Sequence, residues 1–146
     1  MKSRVVLADD HKAFREALRN MLQRDPNIEV VGETGDGGEV LDLVQSTRPD
    51  VVVLDIRMPN VNGVAVLREL VAAHPCVRVI VASVTSVPVF AAEMIAAGAS
   101  GYVTKADAEE LPRAIHSVVS GARYLSAEVR EAVTEPDPVA PNRRTL

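Results

Sequence analysis

Short apolar segments alternate along the chain with stretches in which apolar residues recur at helical spacing. The apolar segments cover residues 5–8, 29–32, 51–54, 77–82 and 101–103. Between the first two, apolar residues fall on one helical face at Phe14, Ala17, Leu18, Met21 and Leu22. Four more helices are predicted around residues 40–44, 64–71, 90–95 and 109–119. This order, a strand followed by a helix five times, predicts a parallel sheet with helices on both faces.

The sequence changes character after residue 125. Residues 126–135 have the pattern of one more short helix, with Ser126 as its N-cap residue. The segment that follows is rich in Pro, which is typical of an extended linker. We therefore expect one domain over residues 1–125, then a short helix and linker over residues 126–146 that lead to another domain.

Composition narrows the possible functions of the chain. Of its 146 residues 47% are hydrophobic but only 3% are aromatic, so the core must be aliphatic, as parallel sheets are. The net charge of −4 gives no basic footprint for nucleic acid, so any DNA contact is expected in another domain. Cys76 is the only cysteine, which excludes an intrachain disulfide and a Cys-based zinc site. With no signal peptide or membrane span in the sequence, we expect a cytoplasmic protein.

Polar residues follow four of the predicted strands at the points where those strands end. Asp9 and Asp10 follow the first strand, Asp55 the third, Ser83 the fourth and Lys105 the fifth. Because ligands of such sheets bind beyond the carboxyl ends of the strands, these side chains are expected to meet at one edge. A single Asp at a strand end is usually a turn former, but this convergence is hard to explain by turns alone.

The residue types at this edge indicate phosphoryl-transfer chemistry. Three carboxylates close together raise one another's pKa, and a hard divalent cation such as Mg²⁺ relieves that conflict. Lys105 supplies a positive charge for a phosphoryl oxygen, and Ser83 supplies a hydrogen bond. The sequence has no evident nucleophilic Cys or Ser–His arrangement, so a carboxylate is the natural nucleophile, and Asp55 is the best candidate.

Four sequence blocks carry a family resemblance: LADDHKAFREAL, PDVVVLDIRMPNVNG, VIVAS and GASGYVTKA. Together they resemble the receiver domain of bacterial two-component response regulators. The ADDH and GYVTK blocks are similar to the subgroup attached to LuxR-type (NarL/FixJ-like) helix-turn-helix domains. The resemblance covers about residues 3–125. It implies a flavodoxin-like (βα)₅ fold, which is a doubly wound α/β parallel sheet with strand order 2-1-3-4-5.

The resemblance also implies a role for each residue of a Mg²⁺ site. It makes Asp55 the phosphoacceptor and a metal ligand. Asp10 would bind Mg²⁺ directly and Asp9 through a water molecule, while the backbone carbonyl of Arg57 would be the third protein ligand.

Further residues match the family's switch positions and its loop after the phosphoacceptor. Ser83 would turn toward the phosphoryl group, Lys105 would pair with that group, and Tyr102 would be the aromatic switch residue. Pro59 and Gly63 match the turn that follows the phosphorylation site.

The implied partners are those of a signalling protein that is not itself an enzyme. A sensor histidine kinase would donate the phosphoryl group, and phosphorylation would promote a homodimer and control a transcription-regulating domain beyond this chain. DNA would be bound only by that further domain, and no membrane contact is expected. A receiver that works as a protein-binding module without phosphorylation remains open as an alternative.

Two other functions fit the sequence less well. A phosphatase of the haloacid-dehalogenase type also uses an Asp at a strand end, but requires a second Asp where this chain has Arg57. A dinucleotide site is suggested by GETGDGG, but its glycine frame fails at Val40, so a turn is expected there.

The chain departs from the family pattern in two places. Ala106 follows Lys105 where many receivers have Pro, which leaves the geometry of that loop open. Residues 84–90 are unusually apolar, which indicates either a partner surface or local packing.

Overall fold

A computed structural model of the chain describes residues 2–134, which form one six-stranded sheet with helices on both faces. The strands are β1 Ser3–Ala8, β2 Ile28–Thr34, β3 Val51–Asp55, β4 Arg78–Ser83, β5 Gly101–Thr104 and β6 Tyr124–Leu125. All neighbouring pairs are parallel, in the order β2-β1-β3-β4-β5-β6. The predicted flavodoxin-like α/β fold and its order 2-1-3-4-5 are confirmed.

Within residues 2–134, six α-helices connect or follow the strands. They are α1 Lys12–Leu22, α2 Val40–Thr47, α3 Gly63–Ala73, α4 Pro88–Ala96, α5 Leu111–Val119 and α6 Ala127–Thr134. Two 3₁₀ segments, Gly37–Glu39 and Lys105–Glu110, precede α2 and α5. The first lies in the glycine-rich stretch, which is a turn as expected. At the end of α4, Gly98 adopts a φ of +114°, the left-handed conformation predicted for a residue that stops a helix.

The strand alternation divides the core into two layers. Val5 and Leu7 of β1 pack with α1 and α5, while Val6 and Ala8 face α2, α3 and α4. This two-sided burial explains why the strands read as continuous apolar segments. No helix in the described part of the chain is long and apolar enough to cross a membrane.

Several local features differ from the sequence-based expectations. Strand β6 was not predicted, because two residues are too short to carry a period. Helix α5 begins at Leu111 rather than near Glu109, since a 3₁₀ segment occupies the preceding turn. Ala17 and Val119 were predicted on buried helix faces but are exposed at the edges of those faces.

Helix α6 is the predicted short helix after Ser126, and it packs against the rest of the domain. Val129 is fully buried in the core. The predicted domain boundary after residue 125 stays a prediction. The Pro-rich linker lies in residues 135–146, outside the described residues.

Side chains that precede α5 hold the N-terminus of α6. The amide of Ala127 donates to Glu110 (Oε2, 3.1 Å), and the amide of Glu128 donates to Asp107 (Oδ2, 2.8 Å). The hydroxyl of Ser126 accepts a hydrogen bond from the Thr104 amide at 3.0 Å. We call Asp107, Glu110 and Ser126 the α6 anchor. The prediction of Ser126 as N-cap residue is therefore correct in position, while the amides of α6 bond to carboxylates from a different segment.

Candidate functional site

The carboxyl ends of β1, β3 and β5 bring two carboxylates and an ammonium group together. The strands lie in register, with Ala8 beside Leu54 and Asp55 beside Ala82, so their ends are level. The Lys105 Nζ lies 2.9 Å from Asp9 Oδ2 and 3.2 Å from Asp55 Oδ2. The predicted meeting of strand-end side chains is thus observed for Asp9, Asp55 and Lys105. We call Asp9, Asp10, Asp55 and Lys105 the rim cluster.

Lys105 is held in its charged form by the carboxylates around it. Its side chain is only 13% exposed. Burial lowers the pKa of Lys105, but the contacts with Asp9 and Asp55 outweigh burial and raise it above the ordinary value. On another side, the Nζ lies 4.7 Å from the centre of the Phe14 ring. The ammonium group is therefore a fixed positive charge beside Asp55.

The acidic side chains form a group that could hold a metal ion. Ligand atoms of Asp9, Asp10, His11 and Asp55 all lie within 4.8 Å of one another. Asp10 Oδ1 is buried and accepts no hydrogen bond in the described part of the chain, and His11 Nδ1 lies 3.6 Å from it. Asp9 Oδ2 is likewise without a well-aligned hydrogen bond, and its 2.9 Å contact with Lys105 is an ion pair. Buried carboxylate oxygens left in this condition fit a hard divalent cation.

The loop after β3 orients the Asp55 side chain. The amide of Arg57 donates to Asp55 Oδ1 at 2.9 Å, which leaves Oδ2 facing Lys105. Gly63 comes so close to this loop that a Cβ atom would lie 2.1 Å from the Ile56 carbonyl oxygen. Glycine is required there by this backbone approach. The Arg57 carbonyl as a metal ligand stays a prediction.

Ser83 is linked to Tyr102 through the loop after β4. The Thr85 amide donates to Ser83 Oγ at 3.3 Å, and the Tyr102 hydroxyl donates to the Thr85 carbonyl at 2.7 Å. Tyr102 is fully buried, which raises the pKa of its hydroxyl. Its ring meets Phe90 edge to face, with centroids 6.0 Å apart. The two predicted switch residues are therefore connected through Thr85, which sequence reasoning missed because the link uses its backbone.

Arg15 of α1 supports the Asp9 backbone. Its Nη1 donates to the Asp9 carbonyl at 2.5 Å, and its Nε donates to Glu33 at 2.9 Å. Arg19 forms a second ion pair with Glu33. Burial raises the pKa of Glu33, but hydrogen bonds from Arg19 and Arg15 hold it below its ordinary value. Their i, i+4 spacing on α1 was the available sequence signal, but it did not identify Glu33 as their shared partner.

The two departures from the family pattern have different outcomes. Ala106 is exposed at the start of the 3₁₀ segment, and no described peptide bond is cis. In the apolar stretch, Val84, Val87 and Val89 are 64%, 53% and 64% exposed. Local packing therefore does not account for these three valines.

Several known proteins are similar to this chain in sequence. The chain is 38% identical over 129 residues to the transcriptional regulatory protein DegU of Brevibacillus brevis, covering 88% of this chain and 55% of that protein. It is 37% identical to the DNA-binding transcriptional activator DevR/DosR of Mycobacterium tuberculosis, covering 94% of this chain and 67% of that protein. The chain thus spans little more than half the length of DegU and two thirds that of DevR/DosR.

Two solved structures are similar to this chain in both fold and sequence. A LuxR-family two-component response regulator from Aurantimonas sp. SI85-9A1 superposes with a TM-score of 0.85 at 34% identity, covering 91% of this chain and 96% of that one. The signal receiver domain of the putative response regulator NarL from Mycobacterium tuberculosis gives 0.77 at 33%, covering 82% and 98%. The response regulator receiver domain family matches residues 5–116. With the rim cluster at the strand ends of that fold, this chain belongs to the family of response regulator receiver domains.

Proposed function

We propose that this chain receives a phosphoryl group on Asp55 from a sensor histidine kinase, with Mg²⁺ bound at the rim cluster. Asp10, Asp55 and the Arg57 carbonyl would hold the ion directly, and Asp9 would do so through a water molecule. The observation that carries this proposal is the buried Asp10 Oδ1, which accepts no hydrogen bond in the described part of the chain and lies within a group of side chains that could hold a metal ion. A metal ion would supply charge neutralisation for the incoming phosphoryl oxygens.

The transfer needs little from the protein beyond position and charge. A carboxylate oxygen of Asp55 bonds to phosphorus while the phosphorus–nitrogen bond of the donor phosphohistidine breaks. The imidazole nitrogen keeps the electron pair of that bond and takes up a proton from water. Lys105, already 3.2 Å from the carboxylate, offsets negative charge on the phosphoryl oxygens.

The new group would change the contacts of the switch residues. A phosphoryl group brings close to two negative charges near neutral pH. Ser83 would turn its hydroxyl toward that charge, away from the Thr85 amide. Because the Tyr102 hydroxyl bonds to Thr85, the change would reach the buried ring. The loop contacts thus give a physical connection between phosphorylation and repacking.

The output would be regulatory rather than enzymatic. We propose that repacking favours a homodimer and controls a C-terminal transcription-regulating domain, which alone would contact DNA. This rests on the relatives, which include a transcriptional regulator and a DNA-binding activator that are longer than this chain.

A second candidate is a receiver that binds a partner protein without phosphorylation. The exposed valines 84, 87 and 89 favour it, because they form an apolar stretch that a partner could cover.

Incubation with a small acyl phosphate and Mg²⁺, followed by intact-mass measurement, tests the proposal. The wild type should gain one phosphoryl group, and Asp55→Asn should gain none, because an amide is not the required nucleophile. Asp42→Asn, which changes an exposed aspartate on α2, is the matched control and should be labelled like the wild type. Removal of Mg²⁺ with a chelator should stop the labelling. Equal labelling of Asp55→Asn, or no labelling of the wild type, would contradict the proposal and leave the second candidate.

A further inference from the structure

We infer that Phe14 is a positioning residue for Lys105, and that its ring helps to keep the ammonium group in contact with Asp9 and Asp55. This inference rests on the proposed function. It concerns a residue that has no polar side-chain atom and takes no part in bond making.

The ammonium group of Lys105 lies between two carboxylates and an aromatic ring. Carboxylate oxygens of Asp9 and Asp55 lie 2.9 and 3.2 Å from the Nζ, while the Phe14 ring centre lies 4.7 Å from it. A cation within about 6 Å of a ring centre is attracted by the negative face of the ring. The ring therefore stabilises the ammonium group without competing for the carboxylates.

The ring matters because a lysine side chain does not hold its own position. Its four-carbon stem is flexible and its ammonium group is strongly hydrated, so water and alternative rotamers compete with any single placement. At 13% exposure the Lys105 side chain is largely shielded, and Phe14 supplies part of that shield. Fixing the charge before the reaction removes a cost that would otherwise fall on the transfer step.

Phe14 is also placed where it can affect the reaction. It lines an open cavity of about 380 Å³ beside Lys105, together with His11, Ala13 and Val84. A phosphodonor in this cavity would contact the ring and Lys105 together. The simpler role, core packing, applies to Met21, which lies two turns further along α1 against the same core layer but is not among the cavity residues.

The two roles predict different results in a comparison of variants. With acyl phosphate and saturating Mg²⁺, Phe14→Leu should slow labelling of Asp55 about threefold to tenfold, which is the range of a partly shielded cation–ring contact. Phe14→Tyr keeps a ring face and should restore the rate. Met21→Ala should lower the melting temperature but leave the rate unchanged. Circular dichroism at the assay temperature checks that each variant is folded.

A double-mutant cycle isolates the contact with Lys105. In a Lys105→Met background there is no cation for the ring to hold, so Phe14→Leu should cause no further loss of rate. In proton NMR spectra of the wild type, the Lys105 Cε protons should show a ring-current shift. Phe14→Leu should remove this shift and Phe14→Tyr should retain it.

The outcomes separate this inference from the proposed function. No labelling of the wild type overturns the proposed function and the inference with it. Labelling of the wild type with equal rates for the Leu and Tyr variants overturns the inference alone. The inference is also overturned if Phe14→Leu slows labelling equally in the wild-type and Lys105→Met backgrounds, because the ring would then act only through packing.

Discussion

The rim cluster and the α6 anchor both use acidic side chains, but the hydrogen bonds of those side chains are satisfied in opposite ways. In the anchor, Glu110 is buried and both its oxygens accept hydrogen bonds, from the Tyr124 hydroxyl at 2.6 Å and the Ala127 amide. In the rim cluster, Asp10 Oδ1 is buried and accepts no hydrogen bond from residues 2–134. A fully satisfied carboxylate holds structure together, whereas an unsatisfied one is available to a ligand.

The same comparison separates the roles of neighbouring residues in one short segment. Lys105 and Glu110 are the two ends of a single 3₁₀ segment. Lys105 contacts Asp9 and Asp55 in the rim cluster, and Glu110 holds the start of α6. The segment therefore joins a site arranged for chemistry to a contact arranged for stability.

The largest expected effect breaks the anchor. Glu110→Ala leaves the Tyr124 hydroxyl and the Ala127 amide without their acceptor, so the free energy of unfolding should fall by about 2 to 3 kcal/mol. Denaturant unfolding monitored by circular dichroism measures this. The control is Glu109→Ala, which removes the exposed neighbour and should change stability by less than about 0.5 kcal/mol. Similar losses for both variants would show that the buried contacts are not responsible.

The next effect tests the rim cluster in the opposite direction. Asp10→Asn removes a carboxylate from the acidic group, so Mg²⁺ affinity should fall at least about tenfold and Asp55 labelling should fall with it. Without Mg²⁺ the same variant should be at least as stable as the wild type, because repulsion between carboxylates is relieved. Titration calorimetry measures the Mg²⁺ affinity, and denaturant unfolding in the presence of a chelator measures the stability without metal. Unchanged Mg²⁺ affinity, or a clear loss of stability without metal, would mean that Asp10 is a structural residue like Glu110.

The smallest effect concerns the pH dependence of the anchor. Burial raises the pKa of Asp107, but the Glu128 amide and the hydroxyls of Ser126 and Thr104 hold it below its ordinary value. Because the folded pKa is the lower one, this carboxylate stabilises the protein above about pH 4, and the contribution is lost as the pH falls through the folded value.

The corresponding measurement compares Asp107→Asn with the wild type at neutral and acidic pH. The variant should be about 1 kcal/mol less stable near neutral pH, and this difference should shrink below pH 4. A difference that stays constant across that range would show that Asp107 acts through packing rather than through its charge.

The rim cluster could be predicted from sequence because its signal is local to each strand end. Asp9, Asp55 and Lys105 each follow an apolar segment, and a parallel sheet brings the carboxyl ends of its strands to one edge. The aliphatic composition and the regular alternation of helix and strand gave the fold for the same reason.

The α6 anchor could not be predicted, because its partners lie apart in the chain and its residues look ordinary. Glu110 follows Glu109 in a charged stretch, and only the packed structure distinguishes the buried residue from the exposed one. Tyr124, its partner, belongs to a strand too short to leave a pattern. The apolar spacing of α1 likewise identified the face that contains Phe14 but not the contact of its ring with Lys105.

The anchoring of α6 determines how the chain leaves the domain. Its N-terminus is bonded to Asp107 and Glu110, and Val129 in the same first turn is buried. Eight helical residues extend for about 12 Å, so the last described residue, Thr134, ends a helix that is fixed against the domain. The α6 anchor thus sets a direction: the last described helix is oriented by the same 3₁₀ segment that carries Lys105.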